Sequence, residues 1–243
     1  MDPIEQFKKE RQAAIAAMGQ DEELKRKSLD WMVAADKYLY TYNYSWLGRP
    51  IIKYPNDIVV MQEIIWSVKP DLIIETGIAH GGSAVFSASM LQLIGRGRVV
   101  AVDIDIRKHN REQIEQHPMY ERITMLEGSS TDPEIVAQIA GYVRESAVVM
   151  VFLDSSHTHK HVVDELRLYS PFVTVGSYLV LPDTFVELFP KGHYQGKPVD
   201  VGNNAMTGLR EFMTGNDDFV IDASINDKLC ITEGFDGYLK RVK

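Results

Sequence analysis

From residue 71 onward the chain alternates short, nearly uninterrupted apolar runs with longer stretches of helical period. The runs are Asp71–Thr76 (DLIIET), Arg98–Asp103 (RVVAVD), Arg122–Leu126 (RITML), Ala147–Asp154 (AVVMVFLD) and Val173–Leu181 (VTVGSYLVL), all rich in Val and Ile. Apolar runs without strict alternation suit strands covered by helices on both faces. Between them Gly82–Ile94, Arg107–Gln116, Pro133–Val143 and His159–Leu168 read as helices, the third opened by the pair Asp132-Pro133. Strands alternating with helices at this spacing predict right-handed βαβ units and a mainly parallel sheet. The end of the chain departs from the rhythm. Asn203–Met213 reads as a last helix, and Phe219–Ala223 and Lys228–Thr232 read as strands whose connection, Ser224–Asp227, is short enough for a hairpin. The expected fold is α/β and Rossmann-like, a parallel sheet closed by an antiparallel terminal strand.

The first 70 residues read as helical. Asp2 and Pro3 match an N-cap with Pro at the first helical position, and Gly19 is placed to stop that helix. Asp21 is placed to cap a second helix, with an apolar stripe of Leu24, Trp31 or Met32, Ala35 and Leu39. Tyr38, Tyr40, Tyr42, Tyr44 and Trp46 follow, as either a packing patch or an aromatic wall for a ring-shaped substrate. Asp57 starts a further helix, Ile58–Val68, which Lys69-Pro70 ends. The chain divides accordingly into an N-terminal helical segment (1–56), assigned to a lid or to self-association, and a main domain (57–243). Pro190–Asn204, with its glycines and prolines, reads as a long surface loop of the kind that carries function.

Composition narrows the setting. The 243 residues carry a net charge of −8, so no broad basic footprint for nucleic acid is expected. Hydrophobic residues make up 45% and charged residues 25%, which is ordinary for a globular chain. The single Cys230 excludes an internal disulfide and points to a reducing, cytoplasmic compartment. No apolar run of membrane-spanning length and no signal-peptide pattern is present, so no membrane partner is expected.

In an open α/β sheet, ligands bind beyond the carboxyl ends of the strands, near the point where strand order reverses. After the first run comes Glu75-Thr76-Gly77-Ile78-Ala79-His80-Gly81-Gly82-Ser83. Glycines allow a tight turn and close ligand approach, and the helix that follows offers free N–H groups to an anion. The spacing is neither the dinucleotide fingerprint nor a triphosphate-binding loop. Asp103, 26 residues beyond Gly77, ends the second run; a carboxylate there can accept both hydroxyl hydrogens of a ribose, or it can cap a helix. Ser129 and Ser130 follow the third run, where an adenine edge would lie. The three strand ends together describe a pocket for an adenosine-containing ligand. Asp154 and Asp183 follow the fourth and fifth runs, as helix caps or as an oxygen-rich pair suited to Mg²⁺. His157, His159 and His161 form a string more typical of a solvated face than of a ligand set. No histidine is followed two residues later by Asp or Glu, which counts against a non-haem iron oxygenase.

Several segments resemble the cephalosporin hydroxylase / rhamnosyl O-methyltransferase family. They are Ile73–Leu91 (IIETGIAHGGSAVFSASML), Val151–Val162, Ser177–Thr184, Gly202–Phe212 and Gly237–Arg241, together with Trp46-Leu47-Gly48 through Pro55-x-Asp57 and Gln62-Glu63-Ile64. The resemblance covers roughly residues 40–243. It implies a seven-stranded class I methyltransferase fold that binds S-adenosylmethionine and methylates a hydroxyl of a sugar or natural product, in polysaccharide or antibiotic biosynthesis. A family-type hydroxylase is the alternative. By resemblance Glu75, Gly77, Ala79, Gly81 and Ser83 form the loop around the methionine end and Asp103 holds the ribose, while the strand-end positions of Ser129, Ser130 and Asp154 put them in the cofactor's surroundings. Asp154 and Asp183 correspond to metal ligands of the catechol-type pattern, and His157 stands where that pattern has its general base. Ser156 and Pro182 stand where the family tends to have acids, which lowers the negative charge available to a cation. The expected partners are a small-molecule or glycosyl acceptor and further copies of the chain.

Overall fold

The computed structural model describes residues 2–243. Two helices, α1 (Pro3–Gln20) and α2 (Glu22–Asp36), lead into a short hairpin, β1 (Tyr44–Trp46) and β2 (Arg49–Ile51), and then α3 (Pro55–Val68). The alternating part follows as β3 (Leu72–Thr76), α4 (Gly82–Ile94), β4 (Arg98–Asp103), α5 (Lys108–Glu115), β5 (Ile123–Glu127), α6 (Pro133–Arg144), β6 (Val149–Leu153), α7 (His159–Tyr169) and β7 (Tyr178–Val180). The chain closes with α8 (Ala205–Met213), β8 (Phe219–Ile221), α9 (Ala223–Lys228) and β9 (Tyr238–Arg241). Among the described residues no helix is long and apolar enough to cross a membrane.

Strands β3 to β9 form one sheet in the order β5-β4-β3-β6-β7-β9-β8, with β3 to β7 parallel and β9 antiparallel to both its neighbours. The pleat explains the unbroken apolar runs. Ile73, Val99, Ala101, Met150 and Phe152 face α3 and α4, while Leu72, Ile74, Val100, Val102, Val149 and Val151 face α6, α7 and α8. Each such side chain contributes about 1.5–3 kcal/mol on burial, so both faces are committed to the core. Strand order reverses between β3 and β6, and the carboxyl ends of these two strands open the crevice described below.

The expected caps are present: the Asp21 side chain accepts from Leu24 N (2.9 Å) and Asp132 from Glu134 N (2.7 Å). Other expectations are corrected. Gly19 does not stop α1; it lies inside the helix, where a Cβ would collide with the Asp227 side chain. Met32, not Trp31, is the buried member of the α2 stripe, and Leu39 lies beyond the helix, exposed. Lys228–Thr232 is not a strand. Asp222 accepts from Ser224 N and nucleates α9, and the antiparallel partner comes later, at Tyr238–Arg241. The hairpin β1–β2 was not foreseen, its strands being too short to show a period.

Asp57 is not a helix cap either. It is 1% exposed, and its carboxylate accepts from the Thr232 hydroxyl, from Glu233 N (2.9 Å) and from the Tyr238 hydroxyl (2.8 Å). This ties α3 to the C-terminal loop and to the central antiparallel strand. Asp57→Ala strands three buried donors and is expected to lower the unfolding free energy by about 3 kcal/mol in urea titrations, against about 1 kcal/mol for Tyr238→Phe.

Candidate active site

Beyond β3 the chain turns sharply at Gly77, whose φ is +87°. A Cβ there would lie 1.9 Å from the carbonyl oxygen of Asp154, so only glycine lets the ends of β3 and β6 approach this closely. Ala79 and Gly81 also take left-handed conformations, and Gly81 precedes α4 as its cap. The carbonyl of Pro50 sits where a Cβ of Gly82 would be. Arg49 reinforces the contact: its Nε donates to the His80 carbonyl at 2.9 Å and its Nη2 to Asn110 Oδ1 at 3.0 Å. The segment after β2 is therefore fastened against the glycine loop and delivers Lys53 to the strand ends.

A cavity of about 870 Å³ opens over this loop. Gly77, Ala79, Ser83, Asp154, His157 and Asp183 line it, with Lys53 and Glu233, neither of which the sequence had suggested. Lys53 is buried and its Nζ lies 3.0 Å from Asp154 Oδ2 and 2.5 Å from Glu233 Oε1. Burial alone would lower the lysine pKa, but Asp154 and Glu233 outweigh it and hold the ammonium well above its ordinary value. The signal that could have found Lys53 was its place inside the Trp46–Asp57 signature, two residues before Pro55.

Asp154, His157 and Asp183 come together as expected: one ligand atom from each lies within 4.8 Å of the others. His157 Nε2 is 3.6 Å from Asp183 Oδ2. Burial and then Asp154 push the Asp183 carboxyl up, while His157 and Lys53 pull it down. Two carboxylates and one imidazole beside open space fit a divalent ion that keeps part of its water shell. The other two histidines of the string turn away. His159 pairs with Thr207 and Glu211 on α8, and His161 with Ser130, Ser155 and Glu165. The group thus gains no second imidazole, as an iron oxygenase site would need.

Glu75, Gly81, Asp103, Ser129 and Ser130, all expected around the cofactor, do not line this cavity. Asp103 Oδ2 accepts from Ile78 N (2.8 Å) and Ala79 N (3.2 Å), so in this structure it shapes the glycine loop. Ser129 bonds Thr131, and the Ser130 side chain is buried against His161. The aromatic cluster divides. Tyr40 packs on Trp31, Tyr44 and Tyr54, Trp46 packs on Phe86, and Tyr42 alone of the five faces the cavity. Across the mouth, Asp36 at the end of α2 pairs with His193 Nε2 (2.8 Å) and accepts from the Tyr194 hydroxyl (3.2 Å), holding the Pro190–Asn204 loop down.

The fold is that of class I S-adenosylmethionine-dependent methyltransferases. CmcI, crystallised with Mg and SAM, superposes with a TM-score of 0.58 at 19% identity, over 83% of this chain and 78% of that one. The O-methyltransferase TomG from Streptomyces achromogenes, in complex with SAM, gives a TM-score of 0.56 at 14% identity over 92% of each chain. The profile described as Rhamnosyl O-methyltransferase/CmcI matches residues 38–242, and the chain belongs to that family. Rhamnosyl O-methyltransferase from Mycobacterium leprae is 34% identical over 142 residues, 58% of this chain and 60% of its own. Its counterpart from Mycobacterium tuberculosis is 33% identical over 148 residues, 60% of this chain and 59% of its own. The alignments thus span about 60% of the length of these curated relatives.

Glu75 supplies a test of the site's electrostatics. It is 1% exposed, the Ser83 hydroxyl donates to its Oε1, and its Oε2 has no partner among the described residues. Burial pushes its carboxyl from 4.5 up to about 7, with the Ser83 bond opposing. Between these values the folded state holds a proton that the unfolded state releases, so this contribution to stability is present below pH 4.5 and lost as pH rises through about 7. Glu75→Gln lacks the loss. Ligand-free Glu75→Gln is expected to match wild type near pH 4.5 and to exceed it by roughly 3 kcal/mol above pH 7 in chemical unfolding.

Proposed function

We propose that this chain transfers a methyl group from S-adenosylmethionine to a hydroxyl of a sugar or glycosylated natural product, with a divalent ion such as Mg²⁺ assisting. The observation that carries the reading is the convergence of Asp154, His157 and Asp183 at the β3–β6 crevice, facing a cavity whose floor is the glycine loop. Membership in a family whose curated relatives are named rhamnosyl O-methyltransferases supports it. When bound, S-adenosylmethionine supplies the methyl on a sulfonium, and a divalent ion lowers the pKa of the acceptor hydroxyl.

The chain's own residues supply position and proton transfer. The first turn of α4 offers backbone N–H groups to a carboxylate. Gly77, Ala79, Gly81 and Ser83 shape that end, Glu75 supports it through Ser83, and Asp103 stands at the next strand end, where a ribose would share it with the loop amides. Ser129 and Ser130 mark the adenine end in this reading. Asp154 and Asp183 hold the ion or orient the acceptor. His157 accepts the hydroxyl proton while the nearby Asp183 carboxylate stabilises the imidazolium that forms. Fixing donor and acceptor in line supplies the rest of the acceleration.

The segment 1–56 contributes Tyr42 and Lys53 to the cavity and, in this reading, selects the acceptor. Self-association through α1, whose Ile4 and Phe7 are exposed, and a cytoplasmic setting complete the proposal. Purified protein is expected to bind S-adenosylmethionine or its demethylated product in calorimetry and to label rhamnosides with a methyl group. His157→Ala and Asp154→Ala are expected to reduce turnover by about 10²–10⁴-fold. Absence of donor binding overturns the reading, and unchanged turnover in both variants overturns the assigned roles.

A further inference from the structure

The lysine that reaches Asp154 has a consequence for any ion placed beside that carboxylate. Lys53 comes from the link between β2 and α3, and Glu233 from the C-terminal loop whose backbone N–H is held by Asp57. Both side chains are nearly sealed from solvent, at 6% and 7% exposure, whereas Asp154, His157 and Asp183 are each about a quarter exposed. The Lys53–Glu233 pair thus lies behind the triad, on the protein side, and Asp154 forms the boundary. Lys53 takes Oδ2 of Asp154, while Oδ1 accepts no hydrogen bond among the described residues.

We propose that Lys53 is the built-in counter-charge of the cation site: it occupies one oxygen of Asp154, leaves the other for an ion shared with Asp183, and thereby keeps that ion loosely held. The proposal rests on reading Asp154 and Asp183, beside His157, as the cation site. At about 3 Å from a ligand carboxylate, a fixed positive charge repels a dication across a distance at which neither solvent nor salt screens much. It also prevents Asp154 from gripping an ion with both oxygens. Ser156 and Pro182, at positions where further acids would add charge, act in the same direction. Loose binding suits an ion that must let acceptor and product hydroxyls exchange around it. Lys53 is on this account a positioning residue that acts through Asp154.

The test counts free Mn²⁺ by its electron paramagnetic resonance signal during titration of the full chain. Lys53→Met is expected to lower the Mn²⁺ dissociation constant tenfold or more. Lys53→Met combined with Glu233→Gln removes both charges of the buried pair, so Glu233 can neither destabilise the fold nor serve as a new ligand. The double variant is also expected to bind Mn²⁺ more tightly than wild type, and adding Asp183→Ala should return binding to wild-type strength or weaker. A damaged site binds more weakly, so tightening is not an effect that disorder produces. If wild type takes up Mn²⁺ and the double variant binds it equally or less well, the role of Lys53 is overturned while the cation group stands. If no form of the protein takes up Mn²⁺, the cation group falls and the proposal with it.

Discussion

The buried carboxylate of Asp57 is the constraint on which the site depends. A lone ionised carboxylate at this depth would cost several kcal/mol, and three directed donors from residues 232, 233 and 238 offset that cost. The donors are not interchangeable in sequence terms: one is a backbone amide, so the path of the C-terminal loop is fixed along with its side chains. Fixing Glu233 in turn fixes Lys53, and Lys53 fixes one oxygen of Asp154. Residues 57, 233 and 53 therefore carry positional information from both flanks of the domain to the point where strand order reverses. Replacing Lys53 or Glu233 alone with an apolar residue of similar size would leave a buried charge without its partner, which is costlier than removing the pair, and replacing Asp57 would strand its three donors.

Much of the sheet could be read directly. Strands with apolar residues on both faces need no alternation, and β3, β4 and β6 stand within two residues of the runs that predicted them. Helix starts marked by Asp with a following Pro were equally legible, because the side-chain cap and the fixed φ of proline act locally. Legibility failed where geometry is set by distant residues. Lys228–Thr232 has the composition of a strand, yet Leu229 is spent on the core and Thr232 on Asp57, so the run is consumed by packing and β9 forms later. Gly19 reads as a stop, but it is there to admit Asp227 against α1.

The site was half legible for the same reason. Residues at strand ends announce themselves, since topology alone places Gly77, Asp103, Asp154 and Asp183 on one edge of the sheet. His157 could be found by its offset from Asp154. Periodicity is silent on Lys53 and Glu233: a lysine in a turn and a glutamate in a loop carry no period, 180 residues separate the partners, and only the Trp46–Asp57 signature pointed toward Lys53. Asp103 shows the converse, a residue correctly placed at the sheet edge whose carboxylate the loop amides already engage. In the tyrosine cluster Tyr40, Tyr44 and Trp46 pack as one reading had it, and Tyr42 alone lines the cavity.

The grip of His193 and Tyr194 on Asp36 sets the conditions of traffic through the mouth. Both contacts converge on a single carboxylate at the last residue of α2, so they are made or lost together rather than one by one. A ligand too wide for the mouth meets both contacts at once, because neither can yield without the shared carboxylate. The carboxylate at the end of α2 therefore acts as a single latch for the loop that carries residues 193 and 194.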